Sequence, residues 1–533
     1  MTPVEDLRAA VERAAASLRD GGAAPGAAPT LERPKQARFG DYSTNAAMLL
    51  APVAGAPPRE VAERLGEALR AQLGDRLERV EVAGPGFLNL VMADGWYRAA
   101  VEEILGAERF GAGAAARPEK VNVEFVSANP TGPLTAAGGR HAAYGDSLAR
   151  ILQFAGHRPH REYYFNDAGT QVRKLGESIR ARARGEAPPE DGYEGEYVAE
   201  LAASIPGAAE LDVDELARSA VERLIAQIQA TLERYRVDFD TWFREAPLHE
   251  GDRIEHALEA VRQRGHVYES EGAVWLRTTS FGDDKDRVLV RSSGEVTYFA
   301  ADVAYHLDKL ERGFDRLIDV LGADHHGYIG RMKALFAALG AEPEALEVVI
   351  MQFVHIVEGG ERASMSKRRG EFVTLDELID EIGVDAARWF LLQRSHDTTI
   401  DLDLDLAREQ SAENPVYYVQ YAHARIAGIL AKAGDRAPGT GGSFELHPAE
   451  RALVLKLLAF PGEAAEAAAR RAPHRIATYA LELAQEFTAF YRDCKVVGVQ
   501  TEVESFRLAL CIASQRTIAT ALGLLGVEAP EEM

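Results

Sequence analysis

Three stretches of the chain gather residue types suited to holding and activating anions. In "NPTGPLTAAGGRHAAYGD", residues 129 to 146, Gly138 and Gly139 lie in a turn that feeds a helical pattern. Such a turn offers backbone N–H groups and the positive end of a helix dipole to a phosphate. In "ERASMSKRRGEFVTLDELI", residues 361 to 379, Lys367, Arg368 and Arg369 sit in a loop flanked by Ser and Gly just ahead of a second helix, a placement that suits flexible cations closing on phosphates. The third stretch, "GADHHGY" at 322 to 328, carries Asp324, His325 and His326. Neighbouring side chains on a short loop point apart, and spacing fixes no third His or carboxylate, so no protein-bound metal is expected there. Taken singly, each stretch also fits a plain structural role: a tight connection, a solvated basic loop and a polar turn.

The elements that must position these residues show in the hydrophobic pattern. "VNVEFVS" sets Val121, Val123 and Phe125 against Asn122 and Glu124, the period of a strand, and runs through the glycine turn into the helical "RHAAYGDSLARILQFAG". A helix-rich stretch at about 170–265 reads as an insertion; strands return at "GAVWLRTT" and "DRVLVRSSGEVTYFAAD", and "FDRLIDVLGADHHGY" reads as helix end, strand and polar loop. Ahead of this unit, residues 1–110 make a small α/β domain, with "FGDYSTNAAMLLAPVAG" as a helix, "VEVAGPGFLNLVM" as a strand broken by a Gly-Pro-Gly turn, and "GAGAAARPEK" as a linker. Residues 401–533 read as a helix bundle interrupted at Pro461 and Pro473. The fold class is therefore multidomain α/β: an α/β N-terminal domain, a Rossmann-like central domain over 111–400 with a helical insertion, and an all-helical C-terminal domain.

A chain of 533 residues calls for several cores, and 47% hydrophobic with 27% charged residues argues against wholesale disorder. The net charge of −23 repels nucleic acid on average, so a polyanionic partner must meet a local basic surface; "RARAR" (180–184) and "RRAPHR" (470–475) are candidates, and both also fit solvated helix faces. The two cysteines, Cys494 and Cys511, lie in apolar helical patterns without a CxxC pair, which excludes a disulfide framework and fits a reducing compartment. No uninterrupted apolar run reaches about 18 residues and the amphipathic start is acidic, so neither a signal peptide nor a membrane span is expected and the protein reads as cytoplasmic.

In their order, these pieces resemble the arginyl-tRNA synthetases of class I nearly end to end. "GDYSTNAAMLL" and "AGPGFLNL" look like the family's N-terminal tRNA-contacting domain, and "VEFVSANPTGPL" like the entrance to its active site. "REYYFNDAGTQV", "TYFAADVAYH", "LGADHHGYIGRMKAL" and "MSKRRGEFVTLDELIDEIGVDAARWFLL" resemble catalytic blocks, and "ENPVYYVQYAHARI" with "LGVEAPEEM" the anticodon-binding domain. The resemblance implies ATP-dependent activation of L-arginine to arginyl-adenylate, then transfer to the 3′ end of tRNA(Arg), by a monomer using ATP with Mg2+ carried by the nucleotide. It implies that Glu124, Ser127 and Asn129 bind the α-amino and guanidinium regions of arginine. Tyr298 and Asp302, four apart on one helical face, match the guanidinium pocket, with His325 on its wall. Thr135, Gly138, Gly139, Gly322 and Asp324 match the ATP site, together with Met365, Ser366 and Lys367 of a KMSKS-like loop at 364–370. Asn89, Tyr417 and Tyr421 are candidates for tRNA contact, the tyrosines as stacking platforms or as core.

The signature turn departs from its family. Relatives would read "NPTGPLHVGHGR", so Thr135 and Gly138 stand where two histidines belong, and Ser364 replaces the first lysine of the basic loop. Lys367 remains for the leaving pyrophosphate, and His141 with Arg140 is expected to supply the missing catalytic donors. The alternative is an inactive paralogue that binds tRNA or arginine as carrier or regulator.

Overall fold

The computed structural model describes residues 2–19, 28–34, 36–362 and 373–533. The chain opens with α1 (Pro3–Ser17), β1 (Leu31–Glu32), β2 (Tyr42–Thr44), α2 (Ala46–Ala54), α3 (Pro58–Leu73), β3 (Leu77–Ala83), β4 (Phe87–Met92) and α4 (Asp94–Gly106). Its strands pair antiparallel in the order β1-β2-β4-β3. The residues before Ala46 do not extend the helix as the sequence suggests; Thr44 Oγ1 accepts the Ala46 N–H, so α2 starts only there and Tyr42–Thr44 joins the sheet.

The central unit is β5 (Lys120–Glu124), α5 (Ala136–Ala155), β6 (Arg158–Phe165), α6 (Thr170–Ala183), α7 (Glu196–Ser204), α8 (Val213–Arg234) and β7 (Thr241–Arg244). It continues through α9 (Ala246–His249), α10 (Arg253–Gln263), β8 (Val267–Ser270), β9 (Ala273–Leu276), β10 (Arg287–Val290) and α11 (Tyr298–Glu311). Then follow β11 (Arg316–Gly322), α12 (Ile329–Ala338), β12 (Leu346–Met351), β13 (Val354–Glu358), β14 (Glu361–Arg362), α13 (Leu375–Leu392) and β15 (Ile400–Asp403).

Five strands form a parallel sheet in the order β12-β11-β5-β6-β7. The chain moves from β5 to β6 on one side and later returns to β11 on the other, so a crevice opens beyond the carboxyl ends of β5 and β11, the place where open α/β sheets bind ligands. β7 lies inside the stretch expected to be a helical insertion. The helical part is α6 to α8, which closes on its own small core around Leu175, Leu201 and Leu224. β15 pairs parallel with β13, so a boundary drawn at residue 400 runs through a strand of the central unit.

Alternation along β5 fixes which helix covers which face. Phe125, on the face of Val121 and Val123, meets α5, whereas Glu124 on the opposite face meets α11. Contact with α5 depends on Gly145, because a Cβ there would stand 2.0 Å from Phe125 Cγ. Gly145→Ala is expected to cost about 1–3 kcal/mol as overpacking, read as a lower urea midpoint at unchanged m.

The chain ends in α14 (Leu404–Arg408), α15 (Pro415–Ala433), α16 (Pro448–Ala469), α17 (His474–Asp493) and α18 (Thr501–Leu525). Pro461 is carried inside α16 without ending it, while Pro473 stands at the N-cap of α17. α18 is long and apolar enough to cross a membrane, yet 67% of its apolar stretch is buried in the fold, where it packs on α15, α17 and α5. Cys494 and Cys511 are both buried.

Candidate active site

The segment after β5 bends sharply. Val126 (φ +66°) and Ser127 (φ +41°) both occupy the left-handed region, which is costly for a β-branched residue and persists only where the surroundings impose it. They do so here: Ser127 Oγ donates to Glu124 Oε1 (2.9 Å) and accepts from the Tyr164 N–H (3.2 Å), and Tyr163 donates to the Ala128 carbonyl (2.9 Å). Ser127 is thus committed to shaping the bend. Asn129 accepts from the Asn166 N–H (3.2 Å) and donates to Gln171 (3.0 Å), which fixes its amide at the cavity wall.

Thr135 caps α5 by accepting from the Gly138 N–H at 3.2 Å. The neighbouring Ala136 N–H donates to Val373 O (3.0 Å), and the Leu375 N–H donates back to Leu134 O (2.8 Å). The signature turn is therefore bridged to the start of α13, which carries its own capping box at Thr374 and Glu377. Gly138 is part-exposed at this end of the crevice, but Gly139 is buried, and a Cβ on it would come within 2.6 Å of Leu375. Gly139 serves helix packing instead of approach to a phosphate. Met365, Ser366 and Lys367 lie outside the described residues.

The structure also departs from expectation at Arg140. Its side chain is 1% exposed, and its guanidinium donates to the carbonyls of Gln352 (2.6 Å), Ser395 (2.9 Å) and Thr398 (2.9 Å). It clasps α5 to the loops after β12 and α13, and burial pulls its pKa down to about 10. No free cation faces the phosphates from this position. His141 does reach the carboxyl end of β11, beside Val320, Asp324 and His325, but burial first and Arg140 second push its pKa down to about 4. At neutral pH the ring is uncharged.

The crevice opens into a cavity of about 450 Å³. α11 begins at Thr297, whose hydroxyl caps it, and its first two turns send Tyr298 and Asp302 to the cavity wall. Tyr328 donates to Asp302 Oδ2 (2.7 Å), yet burial outweighs this and raises the Asp302 pKa to about 6. Glu245 lines the same cavity, only 6% exposed; it accepts from Tyr164 (2.6 Å) and lies 3.1 Å from His249. Two carboxylates with aromatic walls suit a planar cation that hydrogen-bonds in pairs. Sequence reasoning missed Glu245, because it follows β7, the strand hidden in the presumed insertion; the aromatic run "TWFR" was the available signal. His325 also lines the cavity, edge-on to Tyr328 at 6.1 Å, and the exposed Asp324 lies beside it. Gly322 ends β11 directly ahead of them. Glu124 lies one layer below, its oxygens taken by Ser127, Tyr305 (2.9 Å) and Lys309 (2.6 Å). Among the described residues, no three His, Cys, Asp or Glu side chains gather as metal ligands.

Of the expected RNA contacts, Asn89 is 5% exposed within β4 and presents no side-chain surface, because residues on both sides of the strand are covered. Tyr417 and Tyr421 stack nearly parallel at 6.1 Å on α15, and Arg425 lies over both Tyr421 (4.6 Å) and Tyr491 (5.2 Å). Tyr418 turns inward to Thr488. In "RRAPHR" the cations are taken up by ion pairs: Arg470 with Glu466, Arg471 with Glu347 and Arg475 with Glu463.

Three family models match in succession: the arginyl tRNA synthetase N-terminal domain at 5–92, the class I (R) tRNA synthetase catalytic domain at 196–428, and the DALR anticodon binding domain at 419–533. Among curated relatives, an arginine–tRNA ligase of Geobacillus thermodenitrificans is 48% identical over 524 residues, covering 94% of each chain. The chain belongs to the arginyl-tRNA synthetase family. A second ligase, from Shouchella clausii, is 44% identical over 99% of both chains. Among solved structures, the arginyl-tRNA synthetase of Thermus thermophilus superposes with a TM-score of 0.79 at 25% identity, covering 99% of this chain and 100% of that one. The catalytic-domain match begins at 196, downstream of the altered signature turn.

Proposed function

We propose that the protein is a working arginine–tRNA ligase that condenses arginine with ATP and then esterifies tRNA(Arg). The observation that carries this reading is that two carboxylates, Asp302 and Glu245, line one cavity together with Tyr298, Tyr328 and Asn129, at the switch point of the parallel sheet. Asp302 and Glu245 hold the guanidinium, Tyr298 and Tyr328 flank it, and Asn129 with His325 directs the α-amino and carboxylate end. The arginine carboxylate attacks the α-phosphorus and expels pyrophosphate; positioning and charge stabilisation do the work, without a general base. Gly138, His141 and Asp324 border the nucleotide, with Lys367 assigned to the departing pyrophosphate on its motif. Mg2+ enters with the nucleotide and offsets part of its charge. The second half-reaction brings the 3′ end of tRNA to the adenylate while the Tyr417–Tyr421–Arg425 platform stacks on anticodon bases.

A cytoplasmic monomer fits this reading. Near-full-length similarity to arginine–tRNA ligases argues against the silent-paralogue alternative that the missing histidines raise. A charging assay with arginine, ATP, Mg2+ and tRNA(Arg) tests it: esterified tRNA is expected, and binding without product would reverse the conclusion. Within the turn, His141→Ala is expected to slow ATP–pyrophosphate exchange by about 10²-fold, the usual loss for one preorganised donor. An unchanged rate would remove His141 from the chemistry.

A further inference from the structure

Asp319, Glu124 and Glu162 stand abreast on three neighbouring strands, since the register pairs Asp319 with Glu124 and Glu124 with Glu162. All three are buried, at 5%, 7% and 0% exposure. Like charges placed directly opposite in a sheet repel, and a low dielectric sharpens the repulsion. Two cations answer it, Lys309 of α11 and Arg312 at its C-cap. Arg312 grips Glu162 with both Nη atoms (2.5 and 2.9 Å), and Lys309, at 0% exposure, donates to Glu124 Oε2 (2.6 Å) and Asp319 Oδ1 (3.0 Å). Burial works against the charge on Lys309, but Asp319, Glu124 and Glu162 outweigh it and hold the ammonium above its ordinary pKa.

We propose that Lys309 is a positioning residue for arginine recognition: by neutralising this carboxylate row it fixes the seat of α11 on the sheet, and with it the guanidinium pocket. The inference rests on the arginine-activating reading above. Two routes carry the effect. Along α11, Asp302 lies seven residues before Lys309, two turns up the same face, and the imidazole of His306 bridges the Asp302 carbonyl (2.9 Å) and Asp319 (3.4 Å). Across the sheet, Tyr305 hydrogen-bonds Glu162 (2.7 Å) and packs its ring on Tyr164 (4.6 Å), whose hydroxyl holds Glu245. Both pocket carboxylates thus hang on the row. The turn at 135–139, by contrast, is held by the Arg140 clasp and the bridge to α13.

The test is steady-state ATP–pyrophosphate exchange in the presence of tRNA(Arg), comparing the native chain with Lys309→Met and with the charge-balanced double variant Lys309→Met/Asp319→Asn. Exchange by the native chain establishes the underlying reading; its absence would remove that reading and leave the variants uninterpreted as arginine-pocket probes, so thermal stability of the same three proteins is measured alongside. Lys309→Met is expected to raise KM for arginine about tenfold or more while KM for ATP stays within about twofold, and the double variant to return to within about threefold of native. Equal shifts of both KM values, an unshifted arginine KM, or a double variant no better than the single one would overturn the proposal. Should Lys309→Met not fold, recovery of a folded, arginine-competent protein in the double variant supports the counter-ion role, and a double variant that also fails to fold overturns it. In the native-inactive case, a double variant more stable than Lys309→Met upholds the counter-ion, and one no more stable rejects it.

Discussion

Asp302→Asn is expected to cut kcat/KM for arginine in the exchange reaction by about 10²-fold or more, because removing one partner of a buried, hydrogen-bonded charge pair costs roughly 3 kcal/mol or beyond. KM for ATP should hardly move. The free protein carries this carboxyl with its pKa raised to about 6 by burial, and the Tyr328 hydroxyl only partly offsets that rise. The sign follows from the direction of the shift. Below about pH 6 the carboxyl is protonated and recognises a guanidinium poorly, so the arginine KM of the native enzyme should climb as pH falls through 6. The same shift opposes folding: ionising Asp302 costs nothing below its unfolded range near pH 4, and the cost is fully present above pH 6. Asp302→Asn should therefore melt higher than native at pH 7.5 while losing activity, and an equal or lower Tm there would contradict the burial argument.

Arg388→Met is expected to cost about 2–6 kcal/mol of stability, about 1–3 kcal/mol for each of two buried carbonyls left without a donor, measured as a fall in the urea midpoint. Arg388 is 0% exposed and joins four elements: it pairs with Asp146 of α5 (2.5 Å) and donates to the carbonyls of Leu525 at the end of α18 (2.8 Å) and Tyr235 after α8 (3.0 Å). Asp146 keeps Arg150 at 2.7 Å and Arg161 at 3.5 Å, so its charge is not stranded in the variant. The two carbonyls are, and they sit where the C-terminal bundle, the insertion and the catalytic helix meet. A loss below about 1 kcal/mol would mean that water or a neighbour replaces the guanidinium.

Tyr298 and Asp302 share a helix face in the sequence and share a cavity wall in the structure, because a spacing of four is a property of the helix alone. Tyr417 and Tyr421 follow the same rule and stack. Arg140 and Gly139 were misjudged by proximity: they neighbour the signature turn in the chain, but a helix turns successive residues by about 100°, so one faces Gln352 and the other Leu375. Glu245 escaped notice because the run "TWFR" beside it can mark a strand but not its pairing with β6, more than seventy residues earlier in the chain.

By itself the sequence determined the three-part organisation, the strand–turn–helix that opens the active site, the family, and the candidate residues whose spacing lies within one element. These follow from local periodicity and motif, which short stretches of chain encode. Only the tertiary structure decided that Asp302 and Glu245 line one cavity, that Asp319, Glu124 and Glu162 form a row beside Lys309, and that Arg140 and Arg388 clasp carbonyls. Each of these depends on which strands lie side by side and on which side chains lose water, and both are set by long-range packing that no local pattern records.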